Sequence, residues 1–151
     1  MSTDLAGPRP DHHDPVKSPS HYRGASGIQS IDITHAYRLG PDLTQAVDYI
    51  LRAGRKTPDP RQDLAKAAFY LRYATGHGRD LVFGVPGVTQ PTPAEVAADF
   101  GLCQYRGQAL GLILRPFPHK TDLEAAACQI EMAIEAYTAS LLPAVHNGRA
   151  A

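Results

Sequence analysis

An internal repeat constrains the fold of this chain more than any other feature. Three pairs of segments match in order, the first two at an offset of 63 residues and the third at an offset of 59. Each half therefore predicts a helix, a second helix, a loop and a third helix. We expect a pseudo-two-fold helical bundle that packs as a fused dimer would. The matched pairs are Tyr37–Leu39 with Phe100–Leu102, Gln45–Arg52 with Gln108–Arg115, and Asp63–Ala68 with Asp122–Ala127.

Composition bounds the size and class of the protein. A chain of 151 residues with 43% hydrophobic residues suits one globular core with tails. We expect a disordered, proline-rich tail over 1–18, one helical domain over 19–143 with pseudo-repeats at about 28–75 and 92–142, and a frayed tail over 144–151. The fold class predicted is therefore all-α, a small bundle of about six helices.

Net charge and hydropathy restrict the kinds of partner and the cellular compartment that we expect. The formal net charge is zero, which argues against a nucleic-acid partner. No apolar run is long enough to span a bilayer and no signal-peptide core is present, so we expect a cytoplasmic protein without a membrane partner. Cys103 and Cys128 show no metal-site spacing, and we interpret them as small buried hydrophobes in a reducing compartment.

Proline, glycine and capping residues predict the helix ends of the first half. A first helix should run from about Ile28 to Leu39 and end at Gly40. Pro41-Asp42 should open the second helix, and Gly54 should end it in the left-handed conformation. The third should begin with Asp59 as N-cap and Pro60 at N1, and should be stopped by Gly76 and Gly78.

The second half begins with an extended connector at 81–88. Thr92–Glu95 and Thr121–Glu124 are both predicted capping boxes that open helices. The last helix should be long and should be ended by Pro143.

Basic residues gather at the end of the second helix, where Arg52 lies in the last turn and Arg55 and Lys56 follow Gly54. Cations at a helix C-terminus oppose the macrodipole, and this interpretation is favoured on the stretch alone. A phosphate-binding cluster is the alternative. The first half has the richer basic loop and is the better active half, with the second as its scaffold.

An ordered set of segments closely resembles a small tailed-phage family, whose members are often described as proteins of unknown function or as nucleotide kinases. The resemblance covers about residues 19–74. It implies a phage origin and a role in nucleotide metabolism inside the infected bacterial cell. The segments are Pro19–Tyr22, Ile31-Asp32, Ala46–Lys56, Asp63–Ala67 and Tyr70-Leu71.

The implied activity is that of a deoxynucleoside monophosphate kinase that uses ATP and Mg²⁺. No GxxxxGK[ST] loop exists in the sequence, so a P-loop kinase is excluded. Under this hypothesis Asp32 helps to hold Mg²⁺ and His21 contacts phosphate or relays a proton. The predicted substrate and phosphate contacts are Tyr22, Arg52, Arg55, Lys56 and Lys66.

The sequence departs from the family pattern at two positions and leaves other functions open. Gln45 stands where the family usually has Asn, and Asp48 stands where it usually has Lys, which removes a phosphate contact. One alternative is a non-catalytic phage accessory protein that binds a nucleotide or a host protein. Another is a MazG-like nucleotide pyrophosphohydrolase, although its paired carboxylate motifs are absent. The sequence also leaves open a homo-oligomer.

Overall fold

The structure, a computed structural model, describes residues 16, 17, 19–77 and 91–143. The predicted all-α fold is confirmed, because these residues form six α-helices and no strand. A 3₁₀ turn at Ser20–Tyr22 precedes the helices, and an isolated bridge joins Arg23 to Gln29. The helices are α1 Ser30–Ala36, α2 Pro41–Arg52, α3 Arg61–His77, α4 Pro93–Asp99, α5 Gln104–Ile113 and α6 Lys120–Ser140.

The helix bounds repeat with the offsets that the sequence predicts. α4 and α5 begin 63 residues after α1 and α2 (30 to 93 and 41 to 104), and α6 begins 59 residues after α3 (61 to 120). The buried side chains recur in the same register, for example Ile33 with Val96 and Ile50 with Ile113. The two halves therefore share one order of elements and one pattern of core positions.

The two halves meet through their third helices. α3 packs against α2 on one side and α6 on the other, and α6 packs in turn against α5. Arg72 of α3 and Glu131 of α6 stand at equivalent positions, 59 residues apart, and form an ion pair of 2.5 Å between Nη2 and Oε1. Contact between equivalent positions is what a two-fold axis between the halves requires.

The end of α1 differs from the prediction. α1 spans Ser30–Ala36, and Arg38, not Gly40, adopts the left-handed conformation that ends it, with φ of 52°. The amides of Arg38 and Leu39 donate to the carbonyls of His35 and Thr34, which satisfies the last turn in a Schellman motif. α4 ends in the same motif, with Gly101 at φ 60° where α1 has Arg38.

Other helix ends also differ. Gly76 does not stop α3, which includes His77, and the second predicted stop, Gly78, lies outside the described residues. The His77 ring stacks on Tyr73 one turn earlier, and its Nδ1 donates to the Tyr73 carbonyl. α6 is capped by His119 and Asp122 instead of Thr121 and Glu124. The His119 amide donates to the Asp122 carboxylate at 2.9 Å, and α6 then ends at Ser140, before Pro143.

Several predicted ends are confirmed. Pro41 and Pro93 stand in the first turns of α2 and α4, and Gly54 follows α2 with φ of 80°. The Thr92 hydroxyl accepts from the Glu95 amide at 3.2 Å. The Asp59 carboxylate accepts from the Arg61 amide at 2.9 Å, although α3 begins at Arg61 itself.

The prediction that the two cysteines are buried is wrong. Both are free and exposed: Cys103 is the N-cap of α5, and Cys128 is a residue of α6 beside Arg72 of α3. The predicted connector at 81–88, residues 1–15 of the N-terminal tail and the tail 144–151 lie outside the described residues. No helix in the part of the chain that the structure describes is long and apolar enough to cross a membrane.

Candidate functional site

A cleft of about 870 Å³ opens between α1, the first half of α2 and the segment that precedes α1. Its volume is within the range of roughly 300–1,000 Å³ that is usual for small-molecule sites. Apolar and polar side chains share its walls. The lining residues are Val16, Lys17, Pro19, Tyr22, Gln29, Ser30, Ile31, Thr34, His35, Arg38, Leu39, Thr44 and Asp48.

Basic side chains line the part of the cleft formed by the end of α1. His35, in the last turn of α1, and Arg38, two residues after its end, are both exposed, and both line the cleft. Arg38 adopts a left-handed backbone conformation, which is energetically unfavourable for a residue other than glycine. Strained positions of this kind cluster at functional sites.

A half-buried carboxylate stands on the α2 side of the cleft. The Ser30 hydroxyl donates a hydrogen bond to Asp48 Oδ1. Burial raises the pKa of Asp48 above its ordinary value, while the Ser30 hydrogen bond and the charge of Arg52 lower it by less. A carboxylate with a raised pKa in a cleft is a recognised sign of a binding or catalytic site.

The second half supplies an internal comparison for this cleft. It retains the core but carries proline, alanine or glycine at six of the equivalent positions, while Thr92 stands opposite Gln29. A smaller hollow of about 260 Å³ includes three of the equivalent residues, Thr92, Pro93 and Gly111. The same backbone thus folds without these polar side chains. The pairs are Ser30 with Pro93, Thr34 with Ala97, His35 with Ala98, Arg38 with Gly101, Thr44 with Gly107 and Asp48 with Gly111.

Arg52, a predicted phosphate contact, is committed to a buried ion pair. Its Nε and Nη2 donate to the two oxygens of Asp63 at 3.1 and 2.8 Å, and its Nη1 donates to the Tyr22 hydroxyl at 2.9 Å. The guanidinium also lies 4.6 Å from the Tyr49 ring centroid. The hydrogen bond to Asp63 is the main cause of the raised pKa of Arg52.

Arg55 and Arg106 secure the end of α2 to the rest of the molecule. Arg55 donates to the carbonyls of Arg23 and Phe100 at 2.8 and 3.0 Å and covers the Phe100 ring. Arg106 Nη2 donates to the carbonyls of Ile50 and Ala53. Burial lowers the pKa of Arg106, and the charge of Arg55 lowers it further. These guanidinium groups join the two halves.

The other predicted site residues are dispersed. Tyr22 lines the cleft, and the His21 ring packs against it at 4.4 Å. Lys56 is exposed beyond the end of α2, and Lys66 lies 5.3 Å from the Tyr49 ring, so neither lines the cleft.

Asp32, the predicted magnesium ligand, belongs to the capping box of α1 and accepts from the Gln29 amide at 3.1 Å. Among the described residues no group of three or more His, Cys, Asp and Glu side chains is placed to hold a metal ion. With one oxygen already accepting a backbone hydrogen bond, Asp32 alone does not fit as a protein-bound metal centre.

Sequence reasoning missed His35, Arg38, Ser30 and Thr44. A signal was present in the aligned repeat, where Arg38 falls opposite Gly101 and Asp48 opposite Gly111. A charged side chain opposite glycine in a duplicated element is not needed for the fold. Only the tertiary structure, however, brings α1 and α2 together so that these differences face one cleft.

The fold and the cleft define a small all-helical protein with a partly polar cleft between its first two helices. Residues 16–72 of the chain match the family described as "Protein of unknown function (DUF3310)". The match includes α1, α2 and most of α3, and therefore the whole lining of the cleft. Comparison with curated proteins gave no match, and comparison with solved structures gave none either.

Proposed function

We propose that the cleft binds a deoxynucleoside monophosphate and that the protein phosphorylates it with ATP as the donor. The observation that carries this proposal is the confinement of the polar lining to one half of a duplicated fold. Since the second half folds with alanine and glycine at the same positions, the lining serves a ligand. The resemblance to phage nucleotide kinases supplies the class of ligand and the setting, the cytoplasm of an infected bacterium.

The chemistry of the lining suits a nucleotide. Arg38 offers a charged hydrogen-bond donor for a phosphate, and a ring N–H of His35 offers a second donor. Tyr22 and the apolar side chains of Ile31 and Leu39 provide a surface for a base. Asp48 is an acceptor for the hydroxyl or amino groups that the sugar and the base present.

Phosphoryl transfer at this site would need little covalent chemistry from the protein. An oxygen of the acceptor monophosphate attacks the γ-phosphorus of ATP, a new P–O bond forms, and the bond from the γ-phosphorus to the bridging oxygen breaks to release ADP. No net proton transfer is required when the acceptor is a dianion. The contribution of His35 and Arg38 is to align the acceptor and to offset its charge.

Magnesium would enter this reaction with the donor. Because Asp32 does not fit as a metal centre, we assign the ion to the MgATP substrate and place no step on the protein side chain. The predicted role of Asp32 as magnesium ligand accordingly has no part in the proposed mechanism.

A binding protein without turnover is the second candidate, and a specific observation favours it. Asp48 places a carboxylate in the cleft where the resemblance leads us to expect Lys, and Arg52 and Arg55 are already engaged by protein partners. Fewer cations therefore remain to offset the charge of two nucleotides. The MazG-like hydrolase receives no support, since the described residues lack the carboxylate cluster it would need.

The test is to incubate the protein with each deoxynucleoside monophosphate and MgATP and to separate the products by ion-exchange chromatography. The kinase proposal predicts a diphosphate from at least one monophosphate, with loss of at least about tenfold in rate in His35→Ala and Arg38→Gly. Arg115→Ala, an exposed arginine of the second half, is the matched control and should retain the rate.

Calorimetric titration of the same monophosphates separates the two candidates. Binding that His35→Ala weakens, without any product, would replace the kinase by the binding protein. If the protein neither binds a monophosphate nor forms a product, both candidates are contradicted. Turnover that His35→Ala and Arg38→Gly leave unchanged would also contradict both, because both place the nucleotide in the cleft.

A further inference from the structure

A row of aromatic rings follows the outer face of α3. We call Phe69, Tyr70, Tyr73 and His77 the aromatic ladder. The Phe69 ring centroid lies 5.4 Å from that of Tyr70 and 6.1 Å from that of Tyr73, and Tyr73 stacks on His77 at 3.9 Å. Tyr70 in turn stacks on Tyr49 of α2 at 6.0 Å, so the rings form one continuous surface.

The ladder exposes much of its aromatic area. Phe69 is 61% exposed and Tyr73 is 45% exposed, while His77 is exposed as well. The Phe69 ring meets Tyr70 edge-on and is tilted against Tyr73, whereas Tyr73 and His77 are stacked. Rings held by such contacts on a helix keep exposed faces on which a further ring can stack. A contiguous exposed aromatic surface of this kind indicates a binding site.

Tyr70 is partly buried and packs against the core, but the exposed rings of Phe69, Tyr73 and His77 do not. α6 is the counterpart of α3 at an offset of 59 residues, and it forms the same packing without an aromatic side chain at any ladder position. The ladder is therefore a feature of the first half added to a helix that is stable without it. The counterparts of Phe69, Tyr70, Tyr73 and His77 are Cys128, Gln129, Met132 and Ala136.

The charge beside the ladder is basic. Lys66 is exposed one turn before Phe69 and Tyr70, and it lies 5.3 Å from the Tyr49 ring. The only carboxylate of α3 is Asp63, which is buried and paired with Arg52. Glu131 of α6, which packs against α3, is exposed but paired with Arg72. Lys66 is therefore the charge that favours an anionic ligand at this face, although the net charge of the whole chain is zero.

We propose that the aromatic ladder binds single-stranded nucleic acid. Successive bases stack on the rings, and Lys66 contacts the phosphate backbone. Stacked aromatics beside basic side chains are the usual platform for single strands, because every base has a face that can stack. The zero net charge of the chain led us to expect no nucleic-acid partner. Net charge is a sum over all residues, however, and does not describe the local charge of one helix face. The proposal is independent of the function of the cleft.

The test is fluorescence anisotropy with a fluorescein-labelled oligodeoxythymidine of about 12 nucleotides, a length within the range that single-strand sites cover. We expect binding that Phe69→Ala and Tyr73→Ala each weaken on the order of tenfold. Met132→Ala, the counterpart of Tyr73→Ala on α6, should leave the affinity unchanged. Lys66→Ala should weaken binding and reduce its dependence on salt.

Three results would overturn the proposal. The first is no binding of the oligonucleotide by the wild-type protein. The second is equal binding of an abasic strand of the same length, which would leave charge as the only contact. The third is self-association in sedimentation experiments that Phe69→Ala abolishes without any oligonucleotide binding, which would make the face a protein interface. Circular dichroism checks that each variant is folded, and the His35→Ala variant should bind the strand as the wild type does.

Discussion

Arg52 and Arg115 occupy equivalent positions in the two halves, and each pairs with the equivalent aspartate. The side chains of Arg52 and Asp63 are only 12% and 10% exposed, whereas Arg115 is 58% exposed. Since removing one partner of a buried pair leaves an uncompensated charge, the same substitution should have different costs at the two sites.

We predict that Arg52→Ala lowers the free energy of unfolding by about 3–5 kcal/mol. Arg115→Ala, the matched control, should lower it by less than about 1 kcal/mol because the exposed pair is screened by water. Urea denaturation of both variants measures the difference. Similar losses of unfolding free energy in the two variants would contradict the structural role of Arg52. A large loss in Arg52→Ala would mean that this variant is a poor probe of ligand binding.

The raised pKa of Asp48 predicts a pH-dependent stability. Burial makes the folded protein hold this proton to a higher pH than the unfolded chain does. The stability contributed by the protonated form is complete below the unfolded pKa and is lost as the pH rises through the folded pKa. Ionised Asp48 therefore opposes folding near neutral pH.

Asp48→Asn should raise the free energy of unfolding at about pH 7 and change it little at about pH 3, because Asn does not ionise and its amide oxygen still accepts from Ser30. Urea denaturation of both proteins at the two pH values tests this. An effect of equal size at both would show that ionisation of Asp48 is not its cause. If the variant is more stable but binds ligand less well, Asp48 is retained for function.

At the scale of the element, the Schellman motifs that end α1 and α4 allow the same position to be compared with two different residues. Arg38 and Gly101 hold the same left-handed position, at φ of 52° and 60°. Arg38→Gly should raise the free energy of unfolding by about 1 kcal/mol and weaken ligand binding in the cleft. Gly101→Arg should have the opposite effect on stability. Thermal denaturation and calorimetric titration measure the two properties, and a loss of stability in Arg38→Gly would contradict the argument.

Helix location and helix ends differ in how far the sequence specifies them. The apolar spacing of residues such as Val47, Ile50 and Leu51 is local, and it placed α2 correctly together with Pro41 and Gly54. The end of α1 was missed because a non-glycine residue takes the left-handed position. Gly76 was wrongly expected to stop α3, because the stack of Tyr73 and His77 supports a turn that contains it.

At the scale of the molecule, each half covers the core face of the other. α3 loses the helix with which it packs most extensively if the second half is removed. A fragment of residues 16–77 should therefore not unfold cooperatively as a monomer, because a chain of about 60 residues without that cover is marginal. We expect it to fold only as a dimer, with a second copy of α3 in place of α6.

Circular dichroism combined with analytical ultracentrifugation of the fragment tests this prediction. Helicity that falls on dilution, together with the dimer, is the expected result. A fragment that remains a folded monomer at all concentrations would show instead that the halves are independent domains.

The candidate site was predicted only in part. Tyr22 was predicted as a substrate contact and lines the cleft. That the first half is the active half stays a prediction. Arg52 and Arg55 stood out because they are clustered cations in the sequence, but the sequence does not show that Asp63 and two backbone carbonyls receive their hydrogen bonds. Whether Lys56, Lys66, His21 and Asp32 contact a ligand stays a prediction.

The sequence by itself determined the all-helical fold, the duplicated order of its elements and most of the helix starts, since these follow from local spacing and from residues with restricted backbones. Only the tertiary structure decided which polar side chains share a cleft and which are used in packing. Hydrogen bonds such as that from Ser30 to Asp48 in the cleft, or that from Arg55 to the Phe100 carbonyl between the halves, join residues that are distant in the chain. Their free energy depends on burial and distance, which exist only once the helices have packed.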